Sequence, residues 1–171
     1  MPPSAYKWEY GKLYSYDPTS EEYNKHTCTV FMLHGLGDTG QGWSFAGEQL
    51  KIDGAKWLFP TAPTRPISCN MGMSMPGWFD VKQLPLSAPV ASEQVSRAEM
   101  NEKVDESDIK DSVKYLLDLV QVEIKEKGIP PEKIILGGFS QGGHIAARAA
   151  LECEEPIAGC VGELVYSIED E

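Results

Sequence analysis

Apolar positions along the chain fall into short blocks, with glycine- and proline-rich stretches between them. Cys28-Thr29-Val30-Phe31-Met32-Leu33 is β-branched or apolar throughout and stops at a glycine loop, as a buried strand does. Ala55-Lys56-Trp57-Leu58-Phe59, ended by Pro60, reads as a second strand. Between them lie the loop His34–Gly42 and a helix expected from about Trp43 to Leu50. The clearest helix runs from about Ser107 to Lys127. Ile109, Val113, Leu116, Leu117, Val120 and Ile124 recur there at helical spacing, and Gly128 with Pro130 and Pro131 marks its stop. Lys133–Gly137 reads as a third strand, Ser140 to Leu151 as a turn and helix, and Ile157–Val161 as a last short strand. Strands alternating with helices imply a parallel sheet covered on both faces.

The remaining stretches carry weaker patterns. Residues 1–27 are polar and aromatic, with turn chemistry at Asp17-Pro18. Residues 60–90 are rich in Pro and Met and read as a long functional loop. Residues 91–106 are polar, with partial helix expected. No repeat or linker divides the chain, and its 171 residues suit a single α/β domain over 1–171.

Composition narrows the function. With 42% apolar and 24% charged residues the chain resembles an average globular protein. A formal charge of −11 gives nonspecific phosphate binding no electrostatic support, so no nucleic-acid partner is expected. No apolar run approaches the ~18 residues of a membrane span, and the start Met1-Pro2-Pro3-Ser4-Ala5 has no apolar signal region. Cys28, Cys69, Cys153 and Cys160 form no C-x-x-C or zinc spacing. Free thiols in a reducing cytoplasm are expected, with no metal and no cofactor.

Two glycine motifs carry the chemistry. Gly35-Leu36-Gly37-Asp38-Thr39-Gly40 is literally G-x-G-x-x-G after a strand, the context of a dinucleotide site. Such a site also wants an acid at the end of the next strand, where this chain has Leu58-Phe59-Pro60. The same turn can instead present a backbone N–H to an oxyanion. Gly138-Phe139-Ser140-Gln141-Gly142 is G-x-S-x-G between a strand and a helix, the setting of a nucleophile elbow. The bend is tight, so small residues are needed two before and two after the serine. Ser140 then projects from the top of the sheet, and the N–H of Gln141 points to the same place with a helix N-terminus behind it. An elbow needs a second donor from the loop after an earlier strand, which Leu36 offers. Two such donors contribute roughly 3 kcal/mol each.

Four blocks occur together: His34–Gly40, Phe59-Pro60-Thr61-Ala62-Pro63, Met75-Pro76-Gly77-Trp78-Phe79-Asp80 and Gly137–Gly143. In order and spacing they closely resemble the acyl-protein thioesterases, lysophospholipase-like carboxylesterases of the α/β-hydrolase fold. The resemblance covers about residues 28–162. It implies a three-layer parallel-sheet α/β-hydrolase and a cytosolic serine esterase that removes palmitoyl groups from protein cysteines and cleaves lysophospholipids or small esters. It matches Ser140 to the nucleophile, and Leu36 and Gln141 to the oxyanion donors. Met71, Met73, Met75 and Trp78 fall where the family lays its acyl chain, and thioethers suit a flexible apolar guest.

The sequence departs from that pattern after Gly162. In these hydrolases an acid and then a histidine follow the serine, and neither is found here. His26 precedes the first strand, His34 opens the oxyanion loop, and His144 lies one helical turn after Ser140, where a solvent-facing or packed ring is expected and a substitute base is the alternative. The acidic segment 163–171 does not continue the family pattern. Residues 152–171 hold seven acids and no Lys or Arg, which reads as a solvated tail. The C-terminal strands and helices of the fold are therefore expected to be missing, through truncation, splicing or an incomplete gene model, leaving a bare apolar sheet edge. Without a base the serine is weakly nucleophilic. The alternative reading is a catalytically impaired form that binds acyl chains or lipidated peptides.

Overall fold

The computed structural model describes residues 6–17, 26–84 and 102–163. The acidic residues 164–171, most of the polar 91–106 segment and Pro18 lie outside the described residues.

The two apolar runs form strands β2 (Cys28–Leu33) and β3 (Ala55–Phe59) with the ends expected from sequence. Strand β1 (Tyr14–Tyr16) pairs antiparallel with β3. Its three residues, Tyr-Ser-Tyr, are too few to show alternation. The glycine loop leads into two short helices, α1 (Gly40–Trp43) and α2 (Phe45–Leu50), where one helix from Trp43 was expected. The chain turns helical before Trp43 because Thr39 caps α1, its side chain accepting from the Gly42 N–H, which offsets the poor helix propensity of Gly40 and Gly42. The long helix α3 covers Glu106–Lys125, with the Asp105 carboxylate accepting from the Ser107 and Asp108 N–H groups at its start. Strand β6 (Ile134–Phe139) runs two residues further than expected, into the serine turn. Helix α4 (Gln141–Glu152) and strand β7 (Gly159–Glu163) complete the described chain.

The 60–90 stretch is not one irregular loop. It contains a hairpin of β4 (Thr64–Ile67) and β5 (Met73–Pro76). Arg65 and Ile67 point inward and Thr64 and Pro66 outward, a period of two that proline disguises.

The main sheet has the order β1-β3-β2-β6-β7, with β3, β2, β6 and β7 parallel. Alternate side chains of each strand enter opposite cores. Phe31, Leu33, Ile134 and Leu136 pack with Ile109, Val113, Leu116 and Val120 of α3 and with Ile145 and Ala149 of α4. Val30, Trp57 and Phe59 pack on the other face with Trp43 and Ala46. This makes three layers, as expected. β7 stands at one edge with Val161 70% exposed.

The hairpin is fixed at its root. Arg65, 1% exposed, forms an ion pair with the equally buried Asp108 and lies 5.0 Å from the Trp8 ring centroid. Asp108 also accepts from Trp8 Nε1 (3.1 Å) and from the Asp80 N–H (3.2 Å). Asp80 in turn accepts from the N–H and hydroxyl of Ser68 at 2.7 and 2.6 Å. The Trp78-Phe79-Asp80 block is thereby held between the hairpin and α3.

Candidate active site

Strands β2 and β6 are parallel neighbours, and Leu33 sits opposite Gly138. Leu36 and Gln141 each lie three residues beyond that rung. The sheet thus delivers two loop amides to the same end of adjacent strands.

At the end of β6 the backbone doubles back. Ser140 has φ 50° and ψ −117°, a conformation that L-residues rarely adopt and that is stored at functional turns. Backbone of the α4 start and of the β2 end approaches too closely for side chains at the flanking glycines. A Cβ on Gly138 would lie 2.4 Å from the Gly142 carbonyl carbon, and one on Gly142 would lie 2.5 Å from the carbonyl oxygens of Leu33 and His34. The smallness expected two residues either side of the serine is met on both counts. The Ser140 N–H donates to the Glu163 carbonyl of β7 at 2.6 Å, and its carbonyl accepts the first α4 bond from the His144 N–H at 3.1 Å.

In the glycine loop the amides from Gly37 to Gly40 are already engaged. Gly37 N–H donates to the Pro76 carbonyl (2.8 Å), Asp38 to Gly35 (3.3 Å), Thr39 to the Asp38 carboxylate (2.7 Å) and Gly40 to Thr61 Oγ1 (3.0 Å). These bonds close the loop on itself and leave no ring of amides for a pyrophosphate. The Leu36 N–H, like that of Gly35, has no acceptor among the described residues, and the Gln141 N–H at the start of α4 likewise has none.

His34 is no base. The Ala62 N–H donates to its Nε2 (2.9 Å), so the proton is on Nδ1, which donates to the Gly35 carbonyl (2.7 Å). Both ring nitrogens serve the loop. His144 packs its ring against Phe79, 5.5 Å between centroids, and makes no hydrogen bond to Ser140 Oγ among the described residues. Neither the structure nor the sequence places a base on that hydroxyl within the described chain.

Burial holds the imidazoles of His26, His34 and His144 below their ordinary value of 6.5 and is the largest cause in each. Below pH 6.5 the unfolded chain therefore binds more protons than the folded one, and stability falls as pH falls. The urea midpoint is expected to be lower at pH 5.5 than at pH 7.5. An equal or higher midpoint would mean that these rings titrate as free imidazole does.

The four residues expected along the acyl chain separate into two groups. Met71 (91% exposed) and Met73 (56%) sit at the free end of the hairpin, and Met75 Sδ faces Gly37 of the glycine loop, 3.6 Å from where a Cβ would stand. Trp78 is fully buried and touches no solvent. Its indole N–H donates to the His34 carbonyl (2.8 Å), and its backbone N–H donates to Gln141 Oε1 (2.7 Å). Gln141 Nε2 then donates to the Phe79 carbonyl (2.8 Å). This side-chain role of Gln141 has no signature in the sequence, since its partners lie some sixty residues away.

Residues 16–163 match the family model described as Phospholipase/Carboxylesterase. Acyl-protein thioesterase 1 of Gibberella zeae is 48% identical over 143 residues, 81% of this chain and 57% of that protein. Acyl-protein thioesterase 1 of Neurospora crassa is 43% identical over 83% of this chain and 56% of its own length. Among solved structures, Zea mays acyl-protein thioesterase 2 superposes with a TM-score of 0.67 at 29% identity, covering 90% of this chain and 61% of that one. Arabidopsis thaliana SOBER1 gives 0.65 at 32% identity, covering 78% and 59%. The chain thus spans little more than half the length of the curated relatives it matches.

Proposed function

Because the chain belongs to the phospholipase/carboxylesterase family of α/β-hydrolases, we propose that its site is built to hydrolyse acyl thioesters and esters, with palmitoylated protein cysteines as the main substrates and lysophospholipids or small esters as further ones. The observation that carries this reading is the strained Ser140 turn beside two unengaged amides, Leu36 and Gln141. Ser140 Oγ attacks the acyl carbonyl carbon, its proton passing through solvent water to the departing sulfur because no described side chain takes it, and the C=O π pair moves onto oxygen, where both N–H groups meet the charge. Collapse expels the cysteine thiolate and leaves an acyl-serine, and water repeats the sequence to release the fatty acid. The acyl chain runs along the exposed thioethers of Met71 and Met73 toward Met75. Names of the relatives support the substrate class. Four free thiols support a reducing, cytoplasmic setting. No helix among the described residues is long and apolar enough to cross a membrane.

A fluorophosphonate probe tests the reading. Covalent phosphonylation mapped to the peptide carrying Ser140 is the expected result. Absence of any label, with tight binding of an acyl-peptide, would replace it with acyl capture without cleavage. That second reading rests on the unpartnered Ser140 hydroxyl described above.

A further inference from the structure

We propose that Trp78 is a positioning residue that holds the two oxyanion amides in register with one another. The inference rests on the hydrolase reading of the site and adds a residue that touches neither substrate nor reacting atoms. The two donors come from separate loops, 105 residues apart in sequence, so the sheet alone fixes only their strand ends. Beyond the sheet, one buried residue hydrogen-bonds to both loops, through its side chain to one and its backbone to the other. Trp78 Nε1 donates to the His34 carbonyl, which shares its peptide with the Gly35 N–H and lies one peptide before the Leu36 amide. Its backbone N–H donates to the Gln141 side chain, the residue whose own N–H is the other donor. The Trp78 carbonyl accepts from Ser112 Oγ of α3 at 2.5 Å, and Ser112 is fully buried. Helix α3 thereby anchors Trp78, and Trp78 spans both halves of the hole.

The His34 end is rigid in turn, because its ring bonds both Gly35 and Ala62. The Gln141 end is closed by the second bond to Phe79. Gly77 sits in the gap between, close enough that a Cβ there would lie 3.0 Å from Leu36 Cδ1 and in contact with Gln141 Oε1 at 3.6 Å. Donors to an oxyanion act through preorganisation, and tolerances are about 0.5 Å. A residue that bonds both loops therefore acts on the rate of the covalent step rather than on capture of the acyl group.

The experiment uses the 171-residue chain and two variants. W78F keeps an aromatic ring in the core and deletes the bond to His34. Q141M keeps the backbone N–H and deletes both side-chain bonds. The readouts are fluorophosphonate labelling and ¹⁵N order parameters of the Leu36 and Gln141 amides. In both variants the maximal labelling rate is expected to fall about tenfold or more while half-saturation moves less than twofold. The order parameters of both amides are expected to drop from the rigid range near ~0.85 toward ~0.6. I145V, a buried change in α4 away from this bridge, reports what packing loss alone does and is expected to alter neither readout. Rigid amides in W78F and Q141M, with labelling unchanged, overturn the proposal. If the wild-type chain does not label at all, the hydrolase reading fails, and the order parameters alone then decide whether Trp78 holds the two loops.

Discussion

Ser140→Gly is expected to abolish covalent labelling completely and, at the same time, to raise the unfolding midpoint. The first effect follows from the loss of the only hydroxyl on the turn. The second follows from the backbone. At φ 50° and ψ −117° a serine Cβ crowds its own peptide, at a cost of about 1–3 kcal/mol. Glycine accepts this conformation without strain but loses more freedom on folding, roughly 0.5–1 kcal/mol. The net gain is about 1 kcal/mol, readable as a shift of the urea midpoint at constant slope. Ser140→Ala keeps the Cβ and hence the strain, so it should lose labelling without the gain. A Ser140→Gly protein no more stable than Ser140→Ala would show that the turn is unstrained, and the case for a stored reactive conformation would go with it.

Gly138→Ala is expected to damage folding and the site together. The added methyl would stand 2.4 Å from the Gly142 carbonyl carbon and oxygen and 2.6 Å from the Gly143 nitrogen. All three are backbone atoms and no rotamer change relieves them. Overpacking ordinarily costs about 1–3 kcal/mol, and a clash with main chain on both sides of the nucleophile belongs at the upper end. Relief requires β6 and α4 to separate, which carries the Gln141 amide away from the hole. Urea unfolding should therefore show a loss of about 3 kcal/mol and labelling should be slowed in the fraction that remains folded. Gly159→Ala is the control, because no atom lies within 4 Å of a Cβ there. Equal stability of the two variants would mean that the elbow yields more easily than its geometry implies.

Much of this site was legible from residues alone, for identifiable reasons. β2 and β3 are short, largely apolar runs followed by a glycine loop and by Pro60, and both strands have the ends expected from sequence. The elbow is a local motif whose glycines answer to contacts within a few residues and one neighbouring strand. β1 escaped because three residues of Tyr-Ser-Tyr carry no period, and the hairpin because Pro66 sits in a strand where it faces outward. The bridge through Trp78 and Gln141 was out of reach for a different reason. A buried amide is satisfied by whatever the fold places beside it, and its spacing along the chain is arbitrary. Trp78 was expected among the acyl-chain contacts because aromatics suit lipid. Its two N–H groups, both aimed at carbonyl or amide oxygens, show a residue employed for its donors rather than its surface.

The Ser140 N–H has its acceptor in the Glu163 carbonyl, the last rung between β6 and the outermost strand. Every residue of that strand after Gly159 is exposed, and peripheral strands of this kind open first in local fluctuations. Ser140 is thus tethered to an edge rung of the described sheet. Fraying there would release the turn while the aromatic interior stayed intact, so the backbone conformation at Ser140 is a more delicate property than the packing beneath it.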